Sequence, residues 1–345
     1  MRIAHYGPFA PNGCGLYEAA KDMYSADKIA GHEVYFVDTG ITVNGERKNL
    51  PGQAGNVDKR GSVELTTVTP EQALSADIII AHTGIPDNWI VGSQSSIVWI
   101  LHGRPAACFK PEAMGNSNSY TLLPKLASWA RVKVMLSFWP YHIKFWQAII
   151  PAEKLKCLSA PPIDDSRFNP NGELHKFKLS GRYNIIFADT QREDIDIFEF
   201  LHGAIKFAKT NKEVVFHFYG MPSTLGPWEV LLMELKKLNA LGDVWARKTN
   251  MEEVLRAADL LISPHRIATR IIAEALCCGT PVIANGCDFA SWNCSDFDLL
   301  PEVIHAALGT ITSHGENLKQ KCLFAARNFS LSNYNKQMEK IYANL

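Results

Sequence analysis

The chain has 345 residues, 47% hydrophobic and 20% charged, which is enough apolar material for two domains with separate cores. Its 35 Lys and Arg balance its 35 Asp and Glu, so no global field draws it to nucleic acid or to a membrane surface. Eight scattered cysteines without a C-x-x-C pair argue against a disulfide framework or structural zinc and predict reduced, mostly buried thiols in a cytoplasmic protein. No apolar run reaches membrane-spanning length, and the opening M-R-I-A-H-Y-G reads as a strand and not as a signal peptide.

In chain order, Arg2–Tyr6 is a predicted strand. A loop with Gly13, Cys14 and Gly15 opens a helix from about Leu16 to Ala30, and Gly31 and His32 turn the chain into a strand at Glu33–Val37. This is the first βαβ unit of a doubly wound α/β sheet, with helix N–H groups available to a ligand. It is not a full G-x-G-x-x-G, because Glu18 stands at the third glycine position. Residues 41–62 are polar and rich in Gly and Asn, and read as a long loop. Strands at 76–81 and 96–101 end in His82 and in His102-Gly103-Arg104. Both imidazoles therefore fall at strand C-terminal ends, where open α/β sheets bind ligands. A strand at 132–137 leads into Phe138, Trp139, Pro140 and Tyr141 and a helix through Trp146, aromatics that read as packing more than as a sugar platform. Residues 169–180 are polar and mark an interdomain linker.

The second half repeats the alternation. Strands at 183–188 and 214–219 flank a helix at 198–209, a second helix spans 228–238, and 244–249 leads into a short helix at 252–257. Leu260, Leu261 and Ile262 form a strand stopped by Pro264. Thr269 is the expected cap of the next helix, its hydroxyl accepting an early N–H. Ile271, Ala275 and Cys278 share a face of that helix, Gly279 ends it, and 282–284 is again a strand. Arg266 and Arg270 lie at the positive end of this helix, an arrangement that suits a phosphate. Glu274 stands one turn after Arg270, where an i,i+4 ion pair and a ligand contact are both open. Helices follow at 302–309 and 318–345, the latter broken near 328–332.

The run A-D-L-L-I-S-P-H-R followed by A-E-A-L-C-C-G-T-P-V-I-A resembles the donor site of GT-B glycosyltransferases, in particular the retaining family four, or glycosyl transferases group one. The phrases G-H-E-V and A-P-P-I-D-D-S-R-F-N-P extend the resemblance over nearly the whole chain, the latter through Asp164, Phe168 and Pro170. It implies two Rossmann-like domains facing across a cleft: an acceptor-side domain at 1–168, a linker at 169–182, a nucleotide-sugar domain at 183–325 and a terminal helix at 326–345 returning to the first. It also implies metal-free, cofactor-free transfer of a sugar from a nucleotide diphosphate sugar to an acceptor hydroxyl, with retention. The acceptor would be a saccharide, a lipid-linked glycan or a modified nucleobase.

By the same resemblance, Glu274 holds the ribose and His102 lies by the reacting centre, with Arg192 and Arg270 on the diphosphate. Further donor contacts fall to Gly13, Cys14, Gly15, Gly103, Thr190, Gly220, Lys248, Thr249, Arg266 and Thr269. The chain departs from the pattern where the first Glu of the family's E-x7-E is Arg266, and no Lys follows Arg192 closely. Two alternatives follow: a transferase acting on hydroxymethylated bases in DNA, or a catalytically impaired nucleotide-binding relative.

Overall fold

The computed structural model describes residues 1–7, 15–38, 41–43, 46–48, 57–58, 64–68, 73–82, 93–102, 129–158, 160–189, 197–221, 228–246, 248 and 250–345. The chain divides into two units, Met1–Ser166 with Asn328–Leu345, and Arg167–Arg327.

The first unit contains strands β1 (Arg2–Gly7), β2 (Glu33–Asp38), β3 (Ile41–Val43), β4 (Glu46–Lys48), β5 (Val57–Asp58), β6 (Leu65–Val68), β7 (Ile78–Ala81), β8 (Ser96–Ile100), β9 (Val132–Ser137) and β10 (Leu155–Cys157). Its helices include α1 (Gly15–Ile29) and α2 (Pro140–Gln147). The main sheet has the order β10-β9-β8-β7-β1-β2-β6-β5, parallel except where β5 meets β6. Strand order reverses between β1 and β7, which pair directly.

Side chains alternate across this sheet, and both faces are buried. Ile78, Ile80, Val98 and Ile100 join one apolar cluster with Tyr24 of α1. Ile79, Ala81, Ile97 and Trp99 join the other, with Trp146 of α2. The 138–146 aromatics divide accordingly: Phe138 and Trp146 are core, whereas Tyr141 and Phe145 are exposed.

The expectation of a plain loop over 41–62 needs correcting. β3 and β4 pair antiparallel with Val43 opposite Glu46, and β5 pairs with β6. Asn44-Gly45 stands between the first two strands, a dipeptide that favours a tight hairpin over an open excursion.

The second unit contains β11 (Tyr183–Ala188), α3 (Ile197–Thr210), β12 (Val214–Tyr219), α4 (Trp228–Lys237), β13 (Leu241–Trp245), α5 (Met251–Ala257), β14 (Leu260–Ser263), α6 (Arg270–Cys277), β15 (Val282–Ala284), β16 (Trp292–Asn293) and α7 (Leu300–Ala326). The order β13-β12-β11-β14-β15-β16 is wholly parallel. Counted from β11 it is 3-2-1-4-5-6, the doubly wound arrangement whose switch point lies between the first and fourth strands. Phe187, Phe216 and Phe218 pack from the sheet against Phe200, Leu201 and Ala204 of α3 and Leu300 and Ile304 of α7. Each buried Phe contributes about 1.5–3 kcal/mol.

The polar stretch 169–182 is bound to this unit. Arg256 donates from Nε to the Asn169 carbonyl at 2.9 Å and from Nη1 to that of Glu173 at 2.8 Å. His175 Nε2 meets Asp243 Oδ2 at 2.8 Å. The helix expected at 302–309 lies in the first part of α7, which is two helices joined across a kink at His314 (φ −141°, ψ 29°). The last helix, α8 (Leu331–Tyr342), belongs to the first unit and buries Leu331, Tyr334, Met338 and Tyr342 in its core. The described cysteines are free thiols, all buried except Cys157. Among the described residues no helix is long and apolar enough to cross a membrane.

Candidate functional site

In the second unit, the short strand β14 delivers Ser263, Pro264, His265 and Arg266 at its C-terminal end, beside the end of β11 at Asp189. These two strands flank the switch point, where the diverging connections leave a crevice in doubly wound sheets. His265 Nε2 lies against Asp189 Oδ2 there, with His265 buried. The next strand, β15, is followed by Asn285, whose N–H donates to the His265 carbonyl at 3.1 Å.

Helix α6 starts immediately after this loop. Thr269 occupies its N-cap position with extended dihedrals (φ −62°, ψ 164°), and its carbonyl accepts from the Ala273 N–H at 3.1 Å. The expected side-chain cap is absent: the Thr269 hydroxyl bonds no helix N–H and is itself buried without a hydrogen-bond partner. Its own side chain therefore satisfies none of the first-turn donors, which leaves the helix dipole uncompensated by that oxygen. Ser263 Oγ and Asn285 Oδ1 are likewise buried without a partner. Buried polar atoms such as these three are groups that a polar ligand can satisfy.

Arg270 Nε lies 2.6 Å from Glu274 Oε1, and both side chains are largely buried. The Arg270 guanidinium also stands 5.9 Å from the Phe168 ring. This pairing changes the electrostatics expected from sequence. Two bare guanidinium groups at a helix N-terminus repel each other and the dipole, but here Glu274 neutralises Arg270 and Arg266 is the exposed cation. Glu274 therefore has a structural partner whatever else it binds. Glu274→Ala is expected to lower stability by about 3 kcal/mol by stranding Arg270. Glu274→Gln, which can still accept from Nε, should cost about 1 kcal/mol. Denaturant titration of both variants checks the difference.

Gly279 closes α6 with φ +82°, and a Cβ there would meet Lys319 Cγ at 2.9 Å, so both backbone and packing favour glycine. Gly220 follows β12 with φ +90°, and its N–H donates to the Trp245 carbonyl at 2.9 Å. Lys248, beyond β13, places Nζ 5.5 Å from the Trp245 ring centre. β13 is three strands from β14, so Lys248 starts roughly 14 Å from the α6 loop along the same sheet edge.

In the first unit, His102 follows β8 and His82 follows β7, on adjacent parallel strands. His82 Nδ1 and His102 Nε2 are 2.8 Å apart. Burial holds the His82 pKa well below the usual imidazole value, with His102 and His5 adding like charge against its protonation. Loss of hydration pushes His102 down to about 3, although part of the residue still meets solvent. Both are neutral rings near neutral pH. Gly15 opens α1 and is exposed. Gly13, Cys14, Gly103, Arg104, Thr190, Arg192 and Thr249 lie outside the described residues.

No family model matches the sequence, and no curated protein does. Solved structures match over the whole chain. HepE of Anabaena, in complex with UDP, superposes with a TM-score of 0.71 at 14% identity, covering 100% of both chains. Sucrose-phosphate synthase from Thermosynechococcus elongatus gives 0.67 at 13% identity, covering 99% of this chain and 98% of that one. An α-glucosyltransferase in complex with UDP and a 13-mer DNA containing an HMU base gives 0.65 at 12% identity over 98% of each chain.

The fold is GT-B. Of the described candidates, Arg266, Thr269, Arg270 and Glu274 lie around the α6 loop and His102 follows β8, whereas Gly15 opens α1, Gly220 follows β12 and Lys248 follows β13. Sequence reasoning passed over Asp189, His265, Ser263 and Asn285. The available signal was their position directly after predicted strands, the same signal that singled out His82 and His102. Among the described residues no three His, Cys, Asp or Glu side chains gather to hold a metal ion.

Proposed function

We propose that the chain is a glycosyltransferase that moves a sugar from a nucleotide diphosphate sugar to an acceptor hydroxyl, in the cytoplasm, with retention and without a metal. The observation that carries this reading is the α6 loop. An uncapped helix N-terminus, an exposed Arg266 and three unpartnered buried polar atoms meet at the switch point of a doubly wound sheet. That chemistry suits a diphosphate flanked by hydroxyl-rich groups. Superposable structures held with UDP add support through the fold. Resemblance to the retaining family supports retention and metal independence.

In this reading charge develops on the leaving diphosphate and is met by fixed donors already in place. Arg266, the first N–H groups of α6 and Arg192 supply them. Arg270 contributes while tied to Glu274, whose second oxygen is assigned to the ribose. Gly13, Cys14, Gly15, Gly103, Thr190, Gly220, Lys248, Thr249 and Thr269 complete the donor contacts.

Calorimetric titration with nucleoside diphosphates and the matching nucleosides tests the site. A diphosphate preference of roughly 100-fold or more is expected from two or more charge-assisted hydrogen bonds at about 1.5–3 kcal/mol each. Equal affinities would contradict a phosphate site. A DNA acceptor is a second reading, favoured by the fold match to the transferase held with HMU-containing DNA. The zero net charge weighs against it, since duplex binding draws on phosphate neutralisation. A binding-only relative is the third, raised by Arg266 standing at the family's glutamate position.

A further inference from the structure

The second unit begins at Arg167, and the next residue, Phe168, is 2% exposed within a mostly polar stretch. Helix α5 holds the backbone on either side of that ring. Arg256 donates from Nη2 to the Arg167 carbonyl at 3.2 Å and from Nε to the Asn169 carbonyl at 2.9 Å, the two residues that flank Phe168. Its Nη1 donates to the Glu173 carbonyl at 2.8 Å. Gly172, beside it, has φ +127°, and a Cβ there would meet Arg256 Nη1 at 2.9 Å, so glycine is what lets the guanidinium lie against the chain. Glu252 of the same helix accepts from Arg167, from Nε at 3.1 Å and from Nη2 at 3.0 Å. Arg256 reaches its carbonyls as a planar fork, a geometry that lysine does not reproduce.

The same helix is tied to the far end of α6, where Thr280 Oγ1 donates to the Leu255 carbonyl at 2.6 Å. The Phe168 ring is thereby held beside the near end of α6. The Arg270 guanidinium lies 5.9 Å from the ring centre and that of Arg167 lies 4.7 Å from it, both within cation–π reach. Arg270 needs such a hold. It is the first residue of α6, where the helix dipole repels a cation, and its long side chain has many rotamers. Glu274 Oε1 fixes it at Nε, 2.6 Å away, and the Phe168 ring is a second contact on the guanidinium.

We propose that Phe168 and Arg256 are positioning residues of the α6 site: Arg256 fixes the chain around Phe168, and the Phe168 ring confines the Arg270 guanidinium against Glu274, in the place where it meets a diphosphate. The diphosphate rests on the glycosyl-transfer reading above, whereas the placement of Arg270 does not. The stretch read as a linker is therefore a wall of the site at its first residues. A guanidinium confined before the ligand arrives loses less conformational freedom on binding, which is how a residue without a ligand contact raises affinity.

The test is Phe168→Leu in the full-length protein, which keeps an apolar side chain and removes the ring, with Phe168→Tyr as the variant that restores it. Nitrogen-15 NMR of arginine-labelled protein reads Arg270 without any ligand, its signal assigned by its loss in Arg270→Lys. The Arg270 Nε–H should exchange slowly with water in the wild type and in Phe168→Tyr, and roughly tenfold faster in Phe168→Leu. Calorimetry with nucleoside diphosphate should show binding weaker by roughly 5–10-fold in Phe168→Leu and unchanged in Phe168→Tyr. Phe168→Leu added to Arg270→Lys should weaken binding by no more than about twofold further, because the ring acts through Arg270. Unchanged Nε–H exchange in Phe168→Leu overturns the proposal. So does faster exchange with unchanged diphosphate affinity, or an effect that simply adds to that of Arg270→Lys. If Phe168→Leu does not fold, Arg256→Lys carries the test: it keeps the charge, loses the fork and should also speed Arg270 exchange, and an unchanged rate there overturns the proposal. Should the wild type bind no nucleoside diphosphate, the exchange rates still decide the placement of Arg270, and the diphosphate reading is what fails.

Discussion

His102→Ala is expected to cut turnover of a nucleotide sugar by roughly 100-fold, the order for losing a side chain that positions groups at the reacting centre. Donor affinity should change by about threefold or less, because the residues assigned to the diphosphate and the ribose belong to the second unit. The fold should tolerate the change: His102 is partly exposed, and the loss is one hydrogen bond to His82, about 1 kcal/mol. Initial-rate kinetics together with donor titration separates the two effects. Parallel losses in kcat and in donor affinity would make His102 a binding residue. No loss in either would leave it a packed imidazole.

Arg266→Glu should act on the other quantity. Arg266 is exposed, so replacing it costs the empty protein little. It restores the residue type of the resembled family and puts a negative charge where the proposed site receives phosphate. Loss of a charge-assisted hydrogen bond, with added repulsion, weakens nucleoside diphosphate binding by roughly 100-fold. At a ligand concentration 100 times the wild-type Kd, stabilisation should drop from about 2.7 kcal/mol to about 0.4 kcal/mol. Thermal unfolding with and without diphosphate measures it. A variant stabilised as much as the wild type would remove Arg266 from the phosphate site. Arg270→Ala is a poorer probe, because it leaves the buried Glu274 carboxylate without Arg270.

The elements that carry these residues were legible because their signals are local. Apolar runs stopped by proline or glycine located β14 and β15, and Gly279 marked the end of α6 through a requirement for positive φ. The histidines after β7 and β8 stood out by position alone. What stayed hidden depends on pairing between distant segments. His5 reads as one residue of an apolar strand until Asp27 and His82 are brought to its two nitrogens, across separations of 22 and 77 residues. Tyr342 reaches Asp27 across 315. The Arg270–Glu274 pair was visible as a spacing, but the spacing does not tell an ion pair from a ligand contact. Thr269 was read as a capping hydroxyl from residue type, whereas its rotamer in the tertiary structure leaves that oxygen unbonded. The β3–β4 hairpin was obscured because polar composition outweighed the Asn-Gly turn signal.

The central claim is sugar transfer from a nucleotide diphosphate sugar. Its most direct measurement is mass spectrometry of the full-length protein incubated with a panel of nucleotide sugars and three acceptor pools: saccharides, lipid-linked glycans, and DNA carrying hydroxymethylated bases. The account predicts one donor that yields nucleoside diphosphate together with an acceptor heavier by one glycosyl unit. Binding of nucleoside diphosphate with no mass gain in any pool would contradict it and leave a nucleotide-binding relative in its place.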